Sequence, residues 1–170
     1  MNKMRLYFIM LSALCGWLPV CSQTIKGTFA ITNVQTGIVL RIKDANTKNG
    51  TPIVAYSPVN WKCVTWNFTQ AEGQSYTLTN LYSGKTLQPA ATQPTAGGTL
   101  EEQPLGKTQQ NQLYEFIPVE KEHYMIKLKD TDLYITAPDE KGTINAGIIL
   151  AKRNNTRLQY WSLHEQKPEI

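Results

Sequence analysis

Three times in this chain an aromatic residue is followed two positions later by another large apolar one: Trp66 and Phe68, Tyr114 and Phe116, Trp161 and Leu163. The three aromatics lie 48 and 47 residues apart. An even period of that size marks a repeated supersecondary unit, whose copies bury together the apolar face that none could bury alone. It argues against one continuous sheet and against a nucleotide-binding crossover fold.

Superposing the units extends the match. They open with Phe29-Ala30-Ile31-Thr32-Asn33, Tyr76-Thr77-Leu78-Thr79-Asn80 and Tyr124-Met125-Ile126-Lys127-Leu128, each alternating in the period-2 manner of a half-buried strand. Turns follow at Gln35-Thr36-Gly37, Tyr82-Ser83-Gly84 and Asp130-Thr131-Asp132. Gly, Ser and Asp there supply positive φ or local hydrogen bonds. A second strand carries Ile38/Leu40/Ile42, Leu87 and Leu133/Ile135/Ala137, and a polar loop then holds Asn49-Gly50, Ala96-Gly97-Gly98 or Asn145-Ala146-Gly147. The third strand carries Ile53, Leu100 and Ile149, and the fourth carries the aromatic motif. Each copy is thus four short strands, over about 27–71, 74–119 and 122–166, and three copies make twelve. No segment has the spacing of an amphipathic helix. The expected fold is all-β, with three copies closing about a common axis so that Ile31/Leu78/Ile126 and Phe68/Phe116/Leu163 form equivalent layers. Closure removes exposed sheet edges. A sandwich would not predict the repeat, and propellers carry 4–8 blades.

The ends read differently. Lys3 and Arg5, the apolar run Leu6 to Leu14 and the small residues near Ser22 have the order of a secretory signal peptide, expected to span 1–22. The run is shorter than the roughly 18 residues a membrane span requires. The alternative, lipid attachment at Cys21, has Val20 where a Gly, Ala or Ser is expected. The mature chain, 23–170, is expected to be secreted or periplasmic, soluble and a single free-standing domain. Without Lys3 and Arg5 it holds 15 basic residues against 13 acidic, with no Lys/Arg run longer than two, so no nucleic-acid footprint is present. Cys63 remains alone, which excludes an internal disulfide framework. Its placement between Trp61 and Trp66 reads as a small buried hydrophobe.

These residues resemble the ricin-type β-trefoil lectin family over about Gly27 to His164. Repeats of that family end in Gln-x-Trp and a large apolar residue, kept intact as Gln159-Tyr160-Trp161 with Leu163. Gln112-Leu113-Tyr114 departs at the ring, and Val64-Thr65-Trp66 at the Gln. The family's Asn-x-x-[Ser/Thr]-Gly turn occurs at Asn33 to Gly37 and Asn80 to Gly84. The resemblance implies a β-trefoil with pseudo-threefold symmetry that binds carbohydrate. It also implies that Trp66, Tyr114 and Trp161 are core residues supporting the binding loops.

A sugar pocket combines an aromatic ring against the C–H face with carboxylates or amides at the hydroxyls. Carried over from the family, the acid position falls on Arg41, Gln88 and Thr136, none acidic, and the stacking position on Tyr56, Gln103 and Lys152. The amide pair becomes Cys63-Val64, Asn111-Gln112 and Leu158-Gln159. Asp44, Asp139 and Glu140 in the polar loops are the alternative acids. The candidate ligand-binding residues are therefore Arg41 and Tyr56 in unit one and Gln88, Gln103, Asn111 and Gln112 in unit two. Arg41 suits a carboxylate by bidentate contact, so the partner expected is a glycan or polysaccharide of acidic character. The alternative function is a scaffold for protein recognition or inhibition through the 91–111 segment. His123 and His164 have no metal-ligand spacing, and no nucleophile elbow or phosphate loop occurs. No enzyme activity, metal or cofactor is expected.

Overall fold

The computed structural model describes residues 24–120 and 122–170. The signal peptide and Cys21 expectations fall outside the described residues. Twelve strands follow in order: β1 (Gly27–Asn33), β2 (Val39–Ile42), β3 (Ile53–Tyr56), β4 (Trp66–Gln70), β5 (Ser75–Asn80), β6 (Thr86–Pro89), β7 (Leu100–Gln103), β8 (Tyr114–Glu120), β9 (His123–Leu128), β10 (Leu133–Thr136), β11 (Ile149–Lys152) and β12 (Trp161–Glu165). Three-residue 3-10 turns occupy Lys43–Ala45, Lys62–Val64 and Arg157–Gln159. All strand pairing is antiparallel. The ring β1-β4-β5-β8-β9-β12 closes on itself as a six-stranded barrel, and the hairpins β2-β3, β6-β7 and β10-β11 cap one end. This is the β-trefoil that the repeat implied.

Equivalent residues perform equivalent work. Trp66, Tyr114 and Trp161 are fully buried. Each donates its one polar hydrogen to the second strand of its own unit: Trp66 Nε1 to Leu40 O (3.1 Å), Tyr114 Oη to Leu87 O (3.2 Å) and Trp161 Nε1 to Ile135 O (2.9 Å). Tyrosine can replace tryptophan because it too carries a donor at the far end of a flat ring. Burial pushes the Tyr114 phenol far above its usual range, so it stays a donor at any working pH. Truncating such a ring typically costs about 3–5 kcal/mol. Ile31, Leu78 and Ile126 are buried in the barrel. Phe68 and Phe116 pack at 5.0 Å, with Phe29, Tyr76 and Tyr124 against them at the uncapped end.

Asn33 and Asn80 lock each turn to the 3-10 turn of the preceding unit in cyclic order. Asn33 Nδ2 donates to Leu158 O (2.9 Å) and Tyr160 O (3.1 Å), and its Oδ1 accepts from Gln35 N, Thr36 N and Thr36 Oγ1. Asn80 Nδ2 reaches Cys63 O, and its Oδ1 accepts from Tyr82 N and Ser83 N. The equivalent residue of unit three is the buried apolar Leu128. It cannot hold carbonyls, and the segment facing it, 106–113, forms no 3-10 turn. That segment instead bends through positive φ at Gln109 and Asn111.

The capping hairpins interlock in a ring. The polar loop of unit one clamps β7 through Gly50 N to Glu102 O (2.9 Å) and Glu102 N to Thr51 O (2.8 Å). Unit two clamps β11 through Gly97 N to Leu150 O and Leu150 N to Gly98 O, both 2.8 Å. Unit three returns to β3 through Asn145 N to Ala55 O (2.8 Å) and Ala55 N to Ala146 O (2.9 Å). The third strands begin at Ile53, Leu100 and Ile149 as expected, and the fully buried residue of unit three equivalent to Ile53 and Leu100 is Ile148, just before β11. Leu150 opposes Ile135 as Ala55 opposes Leu40, which sets this register.

Candidate functional site

The second and third strands of each unit place a candidate pocket beside its cap hairpin. In unit one, Arg41 opposes Val54 and Tyr56 opposes Val39. Arg41 and Tyr56 do come together, but not side by side as two free groups. The guanidinium lies over the Tyr56 ring at 4.0 Å from its centroid, a cation–π contact that covers one face of the ring. Arg41 Nε is buried without a hydrogen-bond partner, and Arg41 forms no ion pair among the described residues. Trp61 stands at the other side of the cluster, its ring 6.3 Å from Tyr56 at a 34° tilt, and it is 41% exposed. Trp61 is an exposed aromatic beside Tyr56 that reasoning from family positions missed. The available signal was an aromatic five residues past Tyr56 in the same loop. The Cys63-Val64 pair is buried and offers no side-chain amide.

Unit two keeps its amides but directs them inward. Gln112 is buried; its Nε2 donates to Gln88 Oε1 (2.8 Å) and Pro104 O (3.0 Å), and its Oε1 accepts from Gly106 N (2.8 Å). Gln88 and Gln112 are thus brought together as a strut for the 104–112 loop, with Gln112 fully engaged. Gln159 repeats this in unit three, bridging Thr136 Oγ1, Lys152 O and Asn154 N. Asn111 donates to Thr92 O (2.9 Å), and Gln103 to Glu101 Oε1 (2.8 Å).

The stacking position of unit three also shifts. Tyr56, Gln103 and Ala151 oppose Val39, Thr86 and Tyr134, so the equivalent residue is Ala151 and not Lys152. Of the alternative acids, Asp139 caps its own loop by accepting from Lys141 N (2.9 Å) and Thr143 N (3.2 Å). The Thr143 side-chain and backbone hydrogen bonds hold its carboxyl below the usual range. Asp44 sits at φ 55° inside the Lys43–Ala45 turn. The 91–111 segment is not one long loop, because β7 divides it and Gly97 and Gly98 are bonded to Leu150.

One further carboxylate is placed unlike its equivalents. Glu102 occupies the position of Ala55 and Leu150, fully buried, with neither carboxylate oxygen hydrogen-bonded. Burial raises its pKa, and the nearby Ser83 hydroxyl and Lys85 ammonium offset that only in part. A cleft of about 610 Å³ lies away from the hairpins, between the β4–β5 turn and β8. It is an open trough at the barrel rim flanked by Glu72 and Glu115.

No curated protein sequence matches the chain significantly. Among solved structures, a designed threefold-symmetric protein, ThreeFoil, superposes with a TM-score of 0.77 at 17% identity, over 82% of this chain and 99% of its own. A Macrolepiota procera ricin B-like lectin in complex with lactose gives 0.68 at 21%, covering 86% of this chain and 100% of its own. A Polyporus squamosus lectin bound to the epitope Neu5Aca2-6Galb1-4GlcNAc gives 0.69 at 18%, over 85% of this chain and 50% of its own. These likenesses establish the fold. A family model described as ricin-type beta-trefoil lectin domain-like matches residues 17–103, just over half of the 170. With the repeats, barrel and interlocking hairpins already described, this match shows that the chain belongs to the ricin-type β-trefoil lectin domain-like family.

Proposed function

We propose that this protein is an exported carbohydrate-binding module whose working pocket is that of unit one, selective for glycans that carry a carboxylate. The observation that carries this reading is Arg41, a cation without an ion pair among the described residues, its buried Nε lacking a partner and its guanidinium held over the Tyr56 ring. A guanidinium so placed is preorganised for a planar, bidentate anion, and its fixed geometry lowers the entropy lost on binding. Trp61 offers an exposed indole for the apolar face of a sugar ring. The lactose and Neu5Ac complexes of the similar lectins support carbohydrate as the ligand class, and Neu5Ac is itself an acidic sugar. Selectivity would come from charge, since galactose-type recognition through a pocket acid has no counterpart here.

A glycan array probed with residues 23–170 tests this, with sialylated and uronate-bearing oligosaccharides beside neutral ones. Arg41→Ala should weaken binding to the acidic set by about tenfold or more, the value of a charge-assisted contact. Equal binding of Arg41→Ala and parent, or a preference of the parent for neutral glycans, would overturn the reading.

A further inference from the structure

The family's amide position in unit one holds Cys63 and Val64, which offer none, yet the ring of clamps brings an amide towards β3 from another repeat. We infer that Asn145 of unit three is a ligand-contacting residue of the unit-one site, which makes that site a shared one, assembled from the first and last repeats. This rests on the proposed function above. Gly50, Gly97 and Asn145 are equivalent, each donating its N–H to the clamped third strand of the next unit. All three have positive φ, at 81°, 87° and 64°. Glycine occupies such a conformation freely, and asparagine is among the few other residues that tolerate it. Only unit three places a side chain here.

Where that side chain points follows from the pseudo-symmetry. A β-carbon at Gly50 would lie 3.6 Å from Glu101 Oε2 and 3.9 Å from Gln103 Nε2. Those residues flank the clamped Glu102, as Val54 and Tyr56 flank the clamped Ala55. By the Gly50 geometry the Cβ of Asn145 faces the Val54–Tyr56 edge of β3, with Arg41 opposite Val54, whereas a β-carbon at Gly97 would meet nothing within 4 Å. The Val54–Gly147 bridge fixes the same loop to the same strand. Gly142 brings the loop close, since a β-carbon there would sit 2.9 Å from Ile38 Cγ2.

The Asn145 side chain is exposed and makes no hydrogen bond among those recorded for the described residues. A neutral carboxamide both donates and accepts. Beside a guanidinium it can steady one carboxylate oxygen or a neighbouring hydroxyl without neutralising the cation. Units one and two, with Gly50 and Gly97, offer nothing comparable to the hairpins they clamp.

The test measures binding of a sialylated trisaccharide and of a trigalacturonate to the 23–170 chain by calorimetry. Asn145→Gly installs the residue of the other two repeats, so the fold and Tm should be kept. The dissociation constant should rise about three- to tenfold, the value of one hydrogen bond to a charged or polar group. Asn145→Asp should weaken both probes by about tenfold or more, through repulsion of the carboxylate. Unchanged affinity in Asn145→Gly, with binding still weakened in Arg41→Ala, would overturn the shared site and leave the proposed function standing. Silence of the parent toward both probes would overturn the two together.

Discussion

Replacing Glu102 should stabilise this protein, and the gain should grow with pH. The carboxyl is fully buried beneath the unit-one clamp with no well-formed hydrogen bond, and the nearby Ser83 hydroxyl and Lys85 ammonium compensate that burial only in part. The same position holds Ala55 in unit one and Leu150 in unit three, so an apolar side chain is accommodated there twice. Removing a buried polar group that lacks a partner relieves about 1–3 kcal/mol. In a domain of this size that corresponds to roughly 2–12 °C in Tm. The expected outcome for Glu102→Leu at pH 8 is a rise within that range. The pH dependence isolates the charge. Burial raises the folded carboxyl above its unfolded value, so the folded state holds the proton more tightly. Stability contributed by this group therefore falls as pH rises from the unfolded value through the folded one, and stays lowered above it. Glu102→Gln keeps the shape without the charge, so its Tm should exceed that of the parent by more at pH 8 than at pH 4. Other carboxylates titrate in the same window, but they cancel in the difference between parent and variant. Trp66 and Trp161, both buried, report unfolding by fluorescence. A loss of Tm in both variants, or a difference between Glu102→Gln and parent that does not change with pH, would refute the account.

Asn33→Ala should destabilise by about 2–4 kcal/mol, because it leaves several buried donors and acceptors of one network unpaired at once. Denaturant unfolding checks this, and a loss under about 0.5 kcal/mol, the usual size of a surface substitution, would contradict the keystone role. Gly142→Ala should destabilise by about 1–3 kcal/mol, combining a φ of 67° with the approach to Ile38. The thermal midpoint reads this, and an unchanged Tm would show that the loop can shift without penalty. The same variant should also weaken glycan binding at unit one, since the displaced loop carries Asn145.

The architecture was legible because a triplicated unit writes its core three times. Trp66, Tyr114 and Trp161 are identifiable by period alone, and each meets its second-strand carbonyl in the same way. The polar segments were harder to read. A one-residue shift in the loop of unit three moved the stacking position from Lys152 to Ala151, because alternation cannot be counted across a loop without strand pairing. Gln112 looks the same in sequence whether it faces a ligand or braces Gln88 and Gly106.

The sequence by itself determined the repeat, the strand order and the residues that fill the barrel, since these depend on local alternation and on burial that recurs at a fixed interval. Only the tertiary structure decided which polar side chains are free. Arg41 stacks on Tyr56, Gln88 and Gln112 satisfy each other, Glu102 lies stranded under a clamp, and Asn145 reaches the hairpin of another repeat. Each of these depends on contacts between segments far apart in the chain, where a single hydrogen bond separates a structural residue from one available to a ligand.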